Sequence, residues 1–208
     1  MNATSHALPF AGYSVQKMPA HWLLARLGKR VLPPGGVETT KWLIDADAVP
    51  MDDGSASLAF GEAMLSMQSD TKKQNIMSEA RRILRPGGRY AIHELCLSPE
   101  NIDPSLRQEI KRDLSEHIRV GVHIGTTAMW QEWLGARGFD VENMTTRPMR
   151  LLELDRLIDD EGIRGVIRIV VNAARTRGAI TRLPSVRRTF RRHAAQLSAI
   201  AIVARARA

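Results

Sequence analysis

The sequence is poor in cysteine, and this limits the chemistry that is open to it. Cys96 is the only cysteine among the 208 residues. A disulfide framework within the chain and a zinc site made of several cysteines are therefore excluded. Because a chain without disulfides is typical of a reducing compartment, we expect a cytoplasmic protein.

Long apolar runs are also absent, and the uninterrupted apolar stretches are too short to predict a membrane-spanning helix. Near the N-terminus, Lys17, His21, Arg26 and Lys29 interrupt the apolar residues, so no signal peptide is expected. Apolar residues make up 44% of the sequence and charged residues 25%. This composition and length indicate one globular domain, or a domain with a helical appendage.

Acidic residues are missing from the end of the sequence, although the whole chain has a formal net charge of +8. From Arg175 onward there are nine arginines and no acid. Such a stretch could attract nucleic acid or an anionic surface. Phe190 is its only aromatic residue, however, and single strands bind through several stacking side chains. We therefore favour a solvated, arginine-rich helix face, with nucleic-acid binding as the alternative.

The apolar spacing alternates between helical and strand patterns, which predicts an α/β protein with a mostly parallel sheet. The predicted helices cover residues 19–30, 37–44, 71–84, 104–118, 126–137, 153–175 and 184–196. The predicted strands cover residues 58–65, 89–97, 139–145 and 198–204. We expect residues 1–44 to form an N-terminal helical cap and residues 45–208 to form the core.

One segment carries a specific pattern, in which Glu79, Arg82 and Leu84 precede the turn Arg85–Gly88. Alone, the turn predicts only a reversal in which glycines permit positive φ. In its context, E-x-x-R-x-L-x-P-G-G resembles the helix–turn–strand hallmark of class I S-adenosylmethionine-dependent methyltransferases of the type 11-like group.

The flanking segments extend this resemblance, which covers residues 45–145 well and the ends more loosely. Asp45–Ser55 is similar to the acidic adenine-side loop of the family, and Leu58–Leu65 to its fourth strand. Trp130–Val141 resembles a later helix and strand, and Ser198–Ala204 the antiparallel last strand. The resemblance implies a Rossmann-like sheet, S-adenosylmethionine as the cofactor, and methyl transfer to a small molecule. The helices at 103–118 and 153–196 would form a lid.

The sequence departs from the family at the glycine-rich turn that holds the cofactor. No two glycines in the chain are separated by a single residue, so no G-x-G pattern exists. Nor is there room before Asp45 for the first three strands and their helices, on the order of 50 residues. The second hypothesis is therefore a non-catalytic, methyltransferase-like interaction module that has lost cofactor binding.

Without those first strands, Leu58–Leu65 becomes the edge of the sheet, where an apolar strand is prone to association. The N-terminal helices could cover this edge, or two chains could pair there as a homodimer. Both arrangements remain open.

The resemblance implies five cofactor-side residues. Asp45 and Ala46 match the adenine side, whereas Gly61, Glu62 and Ala63 lie at the carboxyl end of the fourth strand. Glu62 could bind the amino group of the cofactor or act as a base. The simpler alternatives are an Asp in a turn and a Glu paired with an arginine.

On the acceptor side the candidates are His93 and Glu94, whose side chains face opposite sides of a strand. His93 is the better general base because its ordinary pKa lies near neutrality. For either residue alone, a hydrogen-bonded role in the sheet is the simpler interpretation. His117 and His123 have no ligand partners at convincing spacing, so no metal site is predicted.

Overall fold

The computed structural model describes residues 14–18, 23–24, 26–27, 49–149 and 154–208, except for the side chains of 154–156 and 159–160. Its strands are β1 (Ala56–Glu62), β2 (Leu84–Leu97), β3 (Gly125–Thr126), β4 (Phe139–Pro148) and β5 (Leu197–Ala206). Its helices are α1 (Asp70–Ile83), α2 (Pro104–Ile118), α3 (Thr127–Gly135), α4 (Leu154–Arg175) and α5 (Ala179–Arg192).

The five strands form one sheet in the order β1-β2-β5-β4, and β3 pairs with the end of β2. β1 and β3 run parallel to β2, whereas β5 runs antiparallel to both β2 and β4. Four strands therefore share one direction and β5 opposes them. This confirms the predicted α/β class, the mostly parallel sheet and the antiparallel last strand.

Most predicted elements appear within a few residues of their expected bounds. α2 has the bounds that were predicted for it. Asp103 caps this helix by accepting the N–H groups of Ser105 and Leu106. α5 begins earlier than expected, at Ala179, and β1 ends at Glu62, three residues early. The predicted helix at 37–44 and most of the one at 19–30 lie outside the described residues.

The turn Arg85–Gly88 is a loop that bulges out of β2. Ala56 pairs with Leu84 while Leu58 pairs with Arg89, so the four residues between have no partners on β1. Gly87 has a φ of 75°. A Cβ on Gly88 would lie 2.9 Å from the carbonyl oxygen of Arg85. The backbone of this turn therefore favours glycine at both positions.

One face of the sheet packs against α1 and α3 to form the main core. Tyr90 and Ile92 of β2 are buried there, together with Met77 of α1 and Trp130 of α3. The Trp130 indole N–H donates to the carbonyl oxygen of Leu95 at 3.1 Å, which satisfies its polar atom within the core. We call this the core face of the sheet, and the opposite side the outer face.

A second cluster joins α2 and α5 through Leu114 and Phe190, beside the sheet. A third cluster packs Leu23 and Leu27 against α4 and the start of α5. The described part of the predicted N-terminal cap therefore packs on α4 and α5. Within the described residues β1 remains the sheet edge.

Among the described residues, no helix combines the length and the apolar character that crossing a membrane requires.

Candidate functional site

The end of β1 and the later part of β2 bring two of the predicted site residues together. Glu62 and His93 are register partners on neighbouring parallel strands. The Nδ1 atom of His93 lies 3.3 Å from Oε1 of Glu62. Their side chains are 47% and 34% exposed for His93 and Glu62 respectively, so the pair on the outer face is accessible to a ligand.

The chain bends sharply just after Glu62. Ala63 has a φ of 50°, a left-handed conformation that is uncommon for a non-glycine residue. Its N–H donates to the carbonyl oxygen of His93 at 2.8 Å, which holds the bend. The bend ends β1 and directs Met64 and the following residues back over the edge of the sheet. Gly61 is buried, and a Cβ there would lie 3.0 Å from the sulfur of Met64.

Glu94 lies on the core face, and its role differs from the prediction. Its buried carboxylate accepts three N–H groups, from Met64 at 3.0 Å, Leu65 at 2.8 Å and Ser66 at 3.0 Å. Burial raises the pKa of Glu94, and these hydrogen bonds oppose the rise. The assignment of Glu94 to the acceptor side is therefore corrected, because its oxygens are enclosed and engaged. Glu94 positions the loop that follows β1.

The hallmark residues Glu79 and Arg82 anchor the loop that precedes β1. Glu79 accepts the N–H of Val49 at 2.5 Å, and Arg82 donates to the carbonyl oxygens of Val49 and Met51 at 2.9 Å. Arg82 also pairs with Asp53 at 2.5 Å. The hydrogen bond from Arg82 lowers the pKa of Glu79. This motif fastens the acidic loop to α1.

The predicted adenine-side residues Asp45 and Ala46 lie outside the described residues. Val49, four residues after Asp45, is the first residue of this loop that the structure describes, and Glu79 and Arg82 hold it in place.

A cavity of about 580 Å³ opens beyond the end of β2, between α2 and the start of α3. Its polar lining includes Arg107 and Lys111 of α2 and His123, which precedes β3. Its apolar lining comes from Leu97, Ile102, Ile110, Ile124 and Met129. Sequence reasoning missed this site, although Arg107 and Lys111 stand one helical turn apart and predict a shared face.

His123 connects this cavity to the loop after β1. Its backbone N–H donates to the carbonyl oxygen of Ser66 at 2.7 Å, and its own carbonyl oxygen accepts from Nζ of Lys73 at 2.9 Å. Burial, and the charge of Lys111, lower the pKa of the His123 ring. The lowered pKa favours the neutral form of the ring.

Lys73 is fully buried beneath the cavity. Its Nζ lies 3.9 Å from the ring centroid of Trp133 and 3.5 Å from Oδ1 of Asp70. Burial lowers the pKa of this ammonium group.

One group of described residues has the spacing of a possible metal site. The potential ligand atoms of Glu109, Asp113 and His193 lie within 4.8 Å of one another. Nε2 of His193 already pairs with Asp113 at 3.0 Å, and Arg192 reaches the same oxygen at 3.2 Å. The hydrogen bond to His193 lowers the pKa of Asp113. We interpret the group as a clamp between α2 and α5, because Arg192 occupies the position of a cation.

Several arginines near the end of the sequence form ion pairs within the chain. Arg205 pairs with Glu142, and Arg207 pairs with Asp140 at 2.8 Å. Arg205 lies on β5 and Arg207 just after it, so their ion pairs do not test the predicted arginine-rich helix face, and they give no support to nucleic-acid binding.

No family model matches the chain. An uncharacterised protein of Haemophilus influenzae is 30% identical over 129 residues, which are 62% of this chain and 49% of that protein. The chain therefore spans about half the length of this curated relative.

The similarities to solved structures cover a larger share of the chain. The [4+2]-cyclase SpnF is 17% identical with a TM-score of 0.53, over 79% of this chain and 54% of SpnF. A protein of Galdieria sulphuraria described as a candidate sarcosine dimethylglycine methyltransferase is 18% identical with a TM-score of 0.57, over 76% of this chain and 56% of its own.

A third structure is phosphoethanolamine N-methyltransferase 2 of Haemonchus contortus, which is 14% identical with a TM-score of 0.51. The match covers 76% of this chain and 35% of the enzyme. At such identities the likeness establishes a shared architecture, and the cyclase among these structures illustrates that architecture alone does not fix the reaction. The chain has the Rossmann-like fold of the class I S-adenosylmethionine-dependent methyltransferases.

Proposed function

We propose that this protein transfers a methyl group from S-adenosylmethionine to a small molecule. The observation that supports this proposal is the Glu62–His93 pair, 3.3 Å apart, where β1 ends and four residues before the end of β2. Ligands of open α/β sheets bind outside the carboxyl ends of the strands. The pair would therefore offer a carboxylate and a base near that end of the sheet.

Among the described residues, Glu62 would serve one end of the cofactor. Its partly exposed carboxylate would accept hydrogen bonds from the amino group of the cofactor. Asp45 and Ala46 would serve the adenine end. The sequence offers no G-x-G turn for the part between, so Glu62 is the residue on which binding would depend most.

S-adenosylmethionine supplies a methyl group that is already activated by its sulfonium charge. The protein then has to align the acceptor and exclude water. Where the acceptor must lose a proton, His93 would take it at Nε2, because Nδ1 faces Glu62.

Calorimetric titration with S-adenosylmethionine and S-adenosylhomocysteine tests the proposal. We expect micromolar binding that Glu62→Ala weakens by about tenfold or more, which is the loss of a charged hydrogen bond. Glu116→Ala removes an exposed carboxylate from α2 and is expected to leave binding unchanged. No heat at millimolar ligand, with a cooperatively folded protein, would overturn the methyltransferase proposal.

The second candidate function is a non-catalytic interaction module. It is favoured by the edge strand β1, where Leu58 is 60% and Phe60 56% exposed, and by the missing glycine-rich turn. This candidate predicts no cofactor binding together with association through β1, either as a homodimer or with another protein. Sedimentation of the wild type and of Phe60→Lys would detect it, because a charge on the edge opposes strand pairing.

We also propose a cytoplasmic location, which the single cysteine supports.

A further inference from the structure

We propose that the cavity of about 580 Å³ beside α2 binds a small molecule with an apolar body and an anionic head group. Its identity as the methyl acceptor rests on the proposed function, whereas the binding itself does not.

Two cations on one face of α2 define the head-group end of this cavity. Arg107 and Lys111 are four residues apart, so both side chains point from the same side of the helix into the cavity. Both are half-buried, where charges interact more strongly than they do in bulk water. The α2 side of the cavity therefore presents two cations to an anionic head group.

The two carboxylates that line the cavity are engaged by other groups. Glu100 accepts the N–H of Ala128 at 3.2 Å, and hydrogen bonds at the start of α3 lower its pKa. Asp70 lies 3.5 Å from Nζ of Lys73 and 3.8 Å from Nδ1 of His123. Among the described residues, neither carboxylate pairs with Arg107 or Lys111. Arg107 donates to an uncharged acceptor, the carbonyl oxygen of Ile124, at 3.4 Å, so an anionic ligand would supply a counter-charge to the two cations.

The rest of the cavity suits an apolar body. Ile110, Ile124 and Leu97 are buried residues of its lining, and Ile102 and Met129 are half-buried ones. Its volume lies within the range of about 300–1,000 Å³ that is usual for small-molecule sites. A ring or a chain of several carbons would cover the exposed parts of Ile102 and Met129 while its head group meets α2.

The cavity is also linked to the loop that follows Glu62. Its lining includes Leu97, at the end of β2, and His123. Ser66, in the loop that Glu94 positions, accepts the N–H of His123. On the proposed function, this link favours the methyl acceptor as the ligand.

Methyl NMR of the full chain tests the inference, with isotope labels on the isoleucine δ1 and methionine ε methyl groups. The anionic probes are hexanoate and phenyl phosphate, and the matched cationic and neutral probes are hexylamine and hexanol. We expect the anions to shift the signals of Ile102, Ile110, Ile124 and Met129 saturably. The signals of Ile163 and Ile167 on α4 are expected to stay in place.

Neighbouring residues of α2 provide a matched pair of variants. Lys111→Gln removes a charge from the cavity, and Arg112→Gln removes one from the exposed side chain beside it. We expect Lys111→Gln to weaken hexanoate binding about fivefold or more, since a charge-assisted hydrogen bond is lost. Arg112→Gln is expected to change the affinity by less than about twofold, because exposed charges are screened. Arg107→Gln gives a second measurement if Lys111→Gln does not fold.

Equal binding of hexylamine and hexanoate would overturn the inference, as would equal effects of Lys111→Gln and Arg112→Gln. Shifts outside the cavity alone would also overturn it. Anion binding without any heat from S-adenosylmethionine would uphold the cavity and remove the methyltransferase proposal. Cofactor binding without anion binding would overturn the inference about the cavity and leave the methyltransferase proposal standing.

Discussion

The two faces of the sheet differ in what they contribute. On β2, Tyr90 and Ile92 face α1 and α3 and are buried, whereas Arg89 and His93 alternate with them and are exposed. On β1, Leu58 and Phe60 of the outer face are exposed as well. The core face therefore supplies stability, and the outer face carries the candidate chemistry. Residues chosen for function can be changed on this second face at little cost to the fold.

Replacing one large aromatic residue on each face gives the largest expected contrast. Trp130→Ala removes a fully buried side chain and is expected to cost about 3–5 kcal/mol of unfolding free energy. Phe60→Ala, on the outer face, is expected to cost less than about 1 kcal/mol. Urea denaturation of the two variants measures both values. Similar losses would mean that the outer face is covered in solution.

Glu94 and Glu62 give the second contrast, because one carboxylate is enclosed and the other is accessible. Glu94→Ala leaves three buried N–H groups without an acceptor and is expected to cost about 2–4 kcal/mol. Glu62→Ala is expected to leave the melting temperature almost unchanged, while it weakens cofactor binding by about tenfold or more. Thermal melts and calorimetry on the same samples separate the two roles.

The pH dependence of Glu94 follows from the sign of its pKa change. Burial raises the pKa in the folded state above its ordinary value of 4.5. The stability of the wild type relative to Glu94→Gln is therefore greatest below pH 4.5 and declines as pH rises through the raised value. An advantage of the wild type that instead grew with pH would show that the three hydrogen bonds outweigh desolvation.

The smallest effect is expected for the ion pairs on the outer face. Glu142 pairs with Arg89 at 2.8 Å and with Arg205, and all three side chains contact solvent. Glu142→Gln is expected to change the melting temperature little, because exposed ion pairs contribute little to stability. Melts at low and high salt check this. A large loss that salt abolishes would make the outer face a second source of stability.

Local signals in the sequence were sufficient for most elements. α2 was predicted from its amphipathic spacing, and in the structure Pro104 occupies its first turn. The turn at Gly87 and Gly88 was predicted from glycine alone. The end of β1 was not predicted, because the bend at Ala63 depends on a hydrogen bond that its N–H donates to His93, thirty residues further along the chain.

The candidate site was predictable only in part, for a related reason. The sequence placed His93 and Glu94 on opposite faces of a strand. It did not show which of these faces the helices cover. That choice depends on how α1 and α3 pack, so the role of Glu94 became clear only in the fold. The cavity is lined by Arg107 of α2, by Ile124 and by Leu97 at the end of β2. These residues are far apart in the sequence, so no short motif predicts that they lie together.

The position of β5 has a consequence for how the protein is made. This strand follows the other four described strands, yet it pairs with β2 on one side and β4 on the other. A ribosome that has released residues 49–196 would have delivered those four strands while the position between β2 and β4 was still empty. Until residues 197–206 emerge, two strand edges stay open to other chains. Nascent polypeptides of this length are therefore where we expect chaperones to be needed most.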